Sequence, residues 1–242
     1  MRMMTYILQC GALCVLLANN IQAQDQIFIR AGILIDGRGG VQRDVVVIVR
    51  GSRIAGVVPA SSAGLRVTHD LREFTLLPGL IDTHVHIDSH FGPDGRATNQ
   101  GETPNQRAYG AAQNAWATLS AGYTTVQSIG STADTALRAA IERGDVKGPR
   151  ILTSLGSFSD TTRSPDEIRQ WVRTQAARGA DVIKIFASKS IREGGGQTLS
   201  TAQISAACDE ARTLNKRSWI HAHAASAVRD AANGGCFAVT HG

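Results

Sequence analysis

Two histidines at the end of one apolar segment are the first residues whose type and spacing could do chemistry. His84 and His86 close the run Asp82-Thr83-His84-Val85-His86. Because side chains alternate across a β-strand, both imidazoles point to the same side. Paired imidazoles are common ligands of divalent metal ions, although histidine pairs also occur as ordinary polar residues at a strand end. The neighbouring segments favour the metal.

A lysine lies in the middle of a second apolar segment, Val182–Phe186. Lys184 shares a face with Val182 and Phe186, so alternation directs its ammonium group into the protein interior. An unpaired charge is costly there. The ordinary alternative is a lysine whose long side chain reaches a carboxylate at the rim.

Three further histidines follow on the next two segments. His221 and His223 share a face of Trp219–His223, and His241 ends Phe237–His241. Four segments therefore supply nitrogen ligands. We expect His221 to lie one layer deeper than His223, which favours a supporting role over direct metal ligation.

Apolar segments of strand length alternate with helical segments from Leu76 onward, which is typical of βα units around a parallel sheet. Helix starts are marked by Ser164-Pro165 with Glu167 and by Ser200 with Gln203. The pattern predicts six strands: Leu80–His86, Thr124–Ser128, Arg150–Ser154, Asp181–Phe186, Ser218–His223 and Phe237–His241. The predicted fold is α/β, an incomplete (β/α)8 barrel with about six of the eight strands.

Short β-rich runs separated by glycine-rich turns precede this region, between Ile27 and Val58. They predict a small antiparallel sheet. We therefore expect a small β-subdomain over residues 24–75, the N-terminal half of a β-sandwich, and a truncated barrel domain over residues 76–242. His69 precedes the barrel and is expected to be structural.

The N-terminus predicts export. Arg2 is followed by an apolar run from Tyr6 to Ala18 and by the small residue Ala23, the layout of a secretory signal over residues 1–23. The run is too short for a comfortable membrane span, so we expect a periplasmic or extracellular product with no stable membrane span after cleavage. Cys208 and Cys236 remain after cleavage, and Cys208 is expected to be a buried structural cysteine.

The formal net charge is +5, yet the Lys and Arg residues are scattered singly. No basic run with interleaved aromatic residues is present, so we expect no nucleic-acid partner.

The run Leu77–His86, together with Lys184, His223 and His241-Gly242, resembles the amidohydrolase superfamily of binuclear metal hydrolases. Within it, Ala180–Phe186 and the spacing from Ala222-His223-Ala224 to His241-Gly242 resemble the branch of imidazolonepropionase-like proteins and Xaa-Pro or Xaa-Arg dipeptidases. The resemblance runs from about Ile27 to the last residue.

The resemblance implies a site with two divalent metal ions, expected to be zinc. His84 and His86 would bind the first ion, His223 and His241 the second, and Lys184, carboxylated by carbon dioxide, would bridge both. The metals would activate a water that cleaves a C–N bond in a dipeptide or an N-acyl amino acid. The resemblance also implies a general-base Asp on an eighth strand, and such an Asp is expected beyond Gly242. The chain alone is therefore expected to be a poor catalyst.

Several residues around this set are candidates for supporting the metals or contacting the substrate. The loop Ser188–Gly196 carries Lys189 and Arg192, which could bind a substrate carboxylate, although the loop could equally be a flexible connection. Further candidates are His221, His90 and Gln127.

Three interpretations stay open at this point: a hydrolase of linear amides, a cyclic amidohydrolase that opens an imidazolone-like ring, and a noncatalytic fragment. The expected partner is a small-molecule amide, and the full-length parent could form a homo-oligomer.

Overall fold

The computed structural model describes residues 26–62, 64, 66–92, 95, 97–98 and 101–242. It divides into two compact units, one that ends at Pro78 and one that comprises Gly79–Gly242. The predicted signal segment, residues 1–23, lies outside the described residues. Within the described part, none of the helices combines the length and the apolar character that crossing a membrane requires.

The first unit contains a four-stranded sheet with the order β3-β2-β1-β4. Antiparallel pairing joins β1 to β2 and β2 to β3, as the sequence predicts. The strands are β1 (Gln26–Ile35), β2 (Val41–Arg50), β3 (Arg53–Pro59) and β4 (His69–Leu76). Leu34, Val45 and Val47 form the buried cluster of this sheet.

Strand β4 is not predicted by the sequence analysis, and it pairs with β1 in parallel. Its register jumps between Leu71, opposite Ala31, and Thr75, opposite Ile33. This bulge breaks the alternation of apolar and polar residues that identifies a strand in a sequence. A side chain at Gly32 would place its Cβ 1.9 Å from the carbonyl oxygen of Arg72, so only glycine fits at the bulge. His69 is exposed on this strand.

The second unit has the predicted alternation of strands and helices, and the α/β barrel fold class is confirmed. Its six principal strands pair in parallel within two sheets, β5-β8-β9 and β10-β11-β12-β13. The strands are β5 (Leu80–Val85), β6 (His90–Phe91), β7 (Ala97–Thr98), β8 (Tyr123–Ser128), β9 (Arg150–Thr153), β10 (Ser157–Phe158), β11 (Val182–Phe186), β12 (Arg217–His221) and β13 (Ala238–Thr240). The helices are α1 (Pro104–Ser120), α2 (Asp134–Arg143), α3 (Pro165–Ala177), α4 (Thr201–Thr213) and α5 (Ala225–Asn233), with a 3-10 turn at Ile191–Glu193.

The two sheets meet at Asp181. Its backbone N–H donates to the carbonyl of Thr153 at 2.8 Å, and its carboxylate accepts from the N–H of Thr153 at 2.9 Å. The carboxylate also pairs with Arg138 at 3.0 Å. Asp181 therefore takes the place of a regular strand ladder between β9 and β11.

Both capping boxes predicted from the sequence are present. The hydroxyl of Ser164 accepts from the N–H of Glu167, and that of Ser200 accepts from the N–H of Gln203. Helices α3, α4 and α5 pack over one face of β11 and β12, where Ile183, Ile185 and Ile220 are completely buried. The opposite face of β11 carries Val182 and Lys184, so the predicted inward direction of Lys184 follows from helix packing on the other side.

A disulfide joins Cys208 on α4 to Cys236 in front of β13, with a Cα–Cα distance of 4.9 Å. Cys208 is buried, as expected, and its covalent bond to Cys236 is a feature that the sequence analysis did not predict. The bond closes a loop with a sequence separation of 28 residues and ties two successive βα units together.

Reduction of this disulfide should lower the free energy of unfolding by about 3 kcal/mol, because a loop of this length regains its entropy in the unfolded chain. Urea unfolding with and without a thiol reductant measures the difference. The Cys208→Ala/Cys236→Ala variant is the control and should not respond to reductant. Equal stability of the wild type under both conditions would contradict the proposed contribution.

Candidate functional site

The predicted histidines and Lys184 lie on one side of four strands, at or near the carboxyl ends. His84 lies within β5 and His86 follows it, while His221 is the last residue of β12. His223 and His241 come just after β12 and β13. Active sites of barrel folds are built at this end of the strands. The five histidines come from strands that the fold places next to a common mouth.

The five imidazole rings form a continuous group. The centroid distances are 5.5 Å from His84 to His86 and 5.3 Å from His84 to His241. His241 is in turn 4.8 Å from His221 and 5.2 Å from His223, and His221 is 4.8 Å from His223. The structure therefore brings together five of the histidines that the sequence analysis selected, whereas His90 lies outside this group.

Lys184 is the most unusual residue of the group, with a relative exposure of 1%. Its Nζ lies 4.9 Å from the ring centroid of Phe186. Burial lowers the pKa of Lys184 to about 8, and no carboxylate in the described part of the chain raises it again. The alternative of a lysine paired with a rim carboxylate is therefore not what the structure has.

Four imidazoles near Lys184 have pKa values below the ordinary value, which favours their neutral form. Burial, followed by the positive charge of Lys184, lowers the pKa of His84 and that of His221 to about 4. The same two causes, in the same order, lower the pKa values of His86 and His241. A neutral imidazole offers a nitrogen lone pair, which is the form that binds metals.

His221 has a ring nitrogen that is available to a ligand. Its Nε2 is buried and has no hydrogen-bond partner among the described residues, and the backbone of Lys189 opposes the lowering of its pKa. A ring nitrogen with a free lone pair can bind a metal ion. Two roles are therefore open to His221. One is the supporting role expected from the sequence, and the other is direct metal ligation, because β12 ends at His221 and not at His223.

The histidines and Lys184 have the chemistry of a metal site but not yet its geometry. As the side chains stand, no three His, Cys, Asp or Glu residues in the described ranges are arranged to hold a metal ion. The chemistry of the donors nevertheless fits, because four neutral imidazoles surround a desolvated lysine and one buried ring nitrogen lacks a partner. The ring centroids of neighbouring histidines lie 4.8 to 5.5 Å apart, so changes of side-chain rotamer would be needed to direct them at one ion.

Gln127 and Ser128 support the strands from within. The side-chain amide of Gln127 donates to the carbonyl of Thr83 at 3.0 Å, directly before His84. The hydroxyl of Ser128 donates to Asp134 at 3.1 Å.

Asp134 was not selected from the sequence, because an acid in the first turn of a helix is commonplace. Its carboxyl group is completely buried, and burial raises its pKa to about 6.

His90 and Asp88 have partners outside the histidine group. The Nε2 of His90 lies 2.5 Å from a carboxylate oxygen of Glu102, and Asp88 accepts a hydrogen bond from Ser131 at 2.7 Å. Asp88 also acts on His86, where its negative charge opposes the lowering of the pKa. His90 therefore connects the segment after β5 to the start of α1.

The loop after β11 folds beside His223. The hydroxyl of Ser188 accepts from the backbone N–H of His223 at 2.8 Å. A Cβ at Gly195 would lie 3.1 Å from the Cβ of His223, so this glycine permits a close approach. Lys189 and Arg192 are exposed on the loop. Two cationic groups therefore lie on a segment that touches the histidine group.

Comparison with known proteins adds an independent finding. The sequence model described as the amidohydrolase family matches residues 75–237. Ochratoxinase from Aspergillus niger is 26% identical over 261 aligned residues, which cover 88% of this chain and 53% of that protein. The chain thus spans about half the length of the curated relatives it matches.

Solved structures agree in fold. A Xaa-Pro dipeptidase with methionine bound in its active site is 28% identical, with a TM-score of 0.79, over 90% of this chain and 62% of that one. A putative prolidase from Bifidobacterium longum is 24% identical, with a TM-score of 0.73, over 91% and 55%. The latter likeness concerns the fold alone.

The lowered pKa values of His84 and His221 predict how the metal-free protein responds to acid. Because these rings bind protons less tightly in the folded than in the unfolded chain, their contribution to the free energy of unfolding is fully present above pH 6.5. That contribution is lost as the pH falls toward about 4. Urea unfolding at pH 7 and pH 5 should show this loss. In the His84→Asn/His221→Asn variant the dependence should be shallower, whereas His69→Asn, at an exposed position, should leave it unchanged. Equal slopes for all three proteins would contradict the burial of neutral imidazoles.

Proposed function

Because this chain belongs to the amidohydrolase family, we propose that it carries the metal-binding part of a hydrolase that cleaves amide bonds with a metal-activated water. The observation that carries the proposal is Lys184, which is buried, lacks a carboxylate partner in the described residues and faces neutral imidazoles. A structural lysine would gain nothing from this environment, since burying its charge is unfavourable.

The buried lysine is suited to form a carbamate. Its neutral nitrogen would attack carbon dioxide, the new N–C bond would form, and a proton would be released, leaving an anionic group with two oxygens. With a pKa of about 8, a useful fraction of Lys184 is neutral near physiological pH. Carboxylation would convert a destabilising cation into an anion. Metal ions held by the surrounding histidines could then be bound by the two oxygens of this anion.

Two divalent ions, with zinc the first candidate because its ligands are typically imidazoles, would lower the pKa of a bound water and polarise the scissile carbonyl. His84 and His86 would hold one ion, the carbamate of Lys184 would bridge, and His241 would hold the second with a ligand from β12. His223 and His221 both compete for that last position. The unpartnered Nε2 of His221 favours His221 as the metal ligand. The position of His223 beside the loop favours contact of His223 with the substrate.

The proposed substrate is a dipeptide or an N-acyl amino acid with a free carboxylate. Lys189 and Arg192 support this choice, because two exposed cations on a segment beside His223 suit an anionic group. The solved Xaa-Pro dipeptidase supports it as well, since methionine is bound in the active site of that protein. If Lys189 and Arg192 do not determine the substrate specificity, substrate profiling would show hydrolysis of a cyclic amide instead.

We propose an exported, periplasmic or extracellular location. The predicted signal segment over residues 1–23 and the Cys208–Cys236 disulfide both support it, because disulfides persist in oxidising compartments.

The metal part of the proposal is tested on the 242-residue chain itself. Titration of the metal-free protein with Co(II) should give a visible absorption spectrum of nitrogen- and oxygen-ligated cobalt at a stoichiometry near two, and Lys184→Ala should lose at least one ion. Lys189→Ala is the matched control, because it removes an exposed lysine from the same βα unit. A wild type that binds no cobalt would refute the metal site.

Hydrolysis is measured on the full-length protein, because the chain spans about half the length of the curated relatives it matches. N-acyl amino acids should be cleaved in preference to their carboxamides, and Lys189→Ala/Arg192→Ala should reduce that preference through KM. Retention of full activity by Lys184→Ala would contradict the carbamate, and a preference for lactams would assign the protein to cyclic amides instead.

A further inference from the structure

A completely buried carboxylate lies behind the site, and the mechanism above does not use it. Asp134 accepts a hydrogen bond from the hydroxyl of Ser128 at 3.1 Å and one from the hydroxyl of Thr153 at 2.7 Å. All three residues have a relative exposure of 0%. Ser128 ends β8 and Thr153 ends β9, so one carboxylate joins the ends of two neighbouring strands.

Each of the two hydroxyl oxygens also accepts a hydrogen bond from a backbone N–H group. The oxygen of Ser128 lies 3.4 Å from the N–H of Ile87, and the oxygen of Thr153 accepts from the N–H of Leu155 at 2.9 Å. A hydroxyl has a single proton. Because that proton is donated to Asp134, the remaining lone pairs must face donors, and the two backbone N–H groups supply them. The carboxylate thereby sets the direction of the whole chain of hydrogen bonds.

The connection reaches the candidate ligands through Ile87, the residue after His86. Strands β5, β8 and β9 are adjacent and parallel, so the network of Asp134 spans the ends of all three. Leu155 has a φ of 55°, a conformation that a branched residue rarely adopts, and its N–H is one of the groups held. Ser154 accepts from the N–H of Gly130, and a Cβ built on Gly130 would lie 3.7 Å from the ring of His86.

The ordinary role of an acid at a helix start does not account for Asp134. It is the first residue of α2, and the N-cap of that helix, Ala133, has no side-chain cap. The oxygens of Asp134 bond to the strands instead of the helix. Arg138, whose positive charge opposes the raising of the pKa of Asp134 by burial, makes its direct ion pair with Asp181. Keeping a carboxylate buried here is unfavourable unless its hydrogen bonds are needed.

We infer that Asp134 is a positioning residue: it fixes the carboxyl ends of β5, β8 and β9 through Ser128 and Thr153, and by holding Ile87 it fixes His86. The importance of His86 as a ligand rests on the proposed function, whereas the hydrogen-bond network does not. Loss of the network should loosen the backbone around Ile87 and Leu155 and weaken the metal site without removing any ligand.

The test compares Asp134→Asn and Asp134→Ala with the wild type in two measurements. The first is amide hydrogen exchange of the metal-free protein. Exchange at Ile87 and Leu155 should accelerate about tenfold in Asp134→Ala and less in Asp134→Asn, which keeps one acceptor. Glu210→Gln is the control, because Glu210 on α4 is a buried carboxylate paired with Arg173 on α3, away from these strands. It should leave both amides unchanged.

The second measurement is Co(II) affinity, which should fall roughly tenfold in Asp134→Ala, the range known for groups that orient metal ligands. Unchanged exchange at Ile87 and Leu155 in Asp134→Ala would overturn the inference. A wild type that binds no cobalt, with exchange accelerated as expected in the variant, would instead refute the metal site and leave the positioning of the strands intact.

Two single-hydroxyl variants keep the test decisive if Asp134→Ala does not fold. Ser128→Ala should accelerate exchange at Ile87 and spare Leu155, whereas Thr153→Val should do the reverse. Acceleration of both amides to the same extent in each variant would indicate general loosening of the fold and would also overturn the inference.

Discussion

Burial of the Lys184 ammonium group without a carboxylate partner in the described residues is the constraint on which the site depends. The helices α3, α4 and α5 occupy one face of β11, so its alternate residues, Lys184 included, must point the other way. Burial of the surrounding rings, followed by the charge of Lys184, lowers the pKa values of His84 and His86 and favours neutral imidazoles. Neutral rings around a lysine that readily loses its proton form a donor set for metal ions.

The elements that hold this set share one device, a buried polar side chain bonded to the backbone beside a candidate ligand. Gln127 donates to the carbonyl before His84, and Ser128, backed by Asp134, reaches the N–H after His86. Ser188 accepts from the N–H of His223 itself. Backbone groups near a strand end have few ladder partners, so side chains from a neighbouring βα unit satisfy them and fix the position of the imidazole.

Sequence reasoning reached the barrel and its histidines because strand alternation and capping boxes are local signals. It missed β4, since a bulge opposite Gly32 breaks the alternation. It missed the pairing of Cys208 with Cys236, because spacing along the chain does not report the distance between Cα atoms. Asp134 resembled any acid at a helix start, and its partners Ser128 and Thr153 became visible only when three strands were placed side by side. The choice between His221 and His223 depended on where β12 ends, which alternation alone does not fix.

The central claim, that Lys184 is buried in order to be carboxylated and to bridge metals, is tested most directly by carbon-13 NMR. The chain is loaded with a diamagnetic divalent metal in the presence of carbon-13 bicarbonate. The account predicts a carbamate carbon signal that is absent in Lys184→Ala and retained in Lys189→Ala. Full metal occupancy of the wild type without any carbamate signal would contradict it.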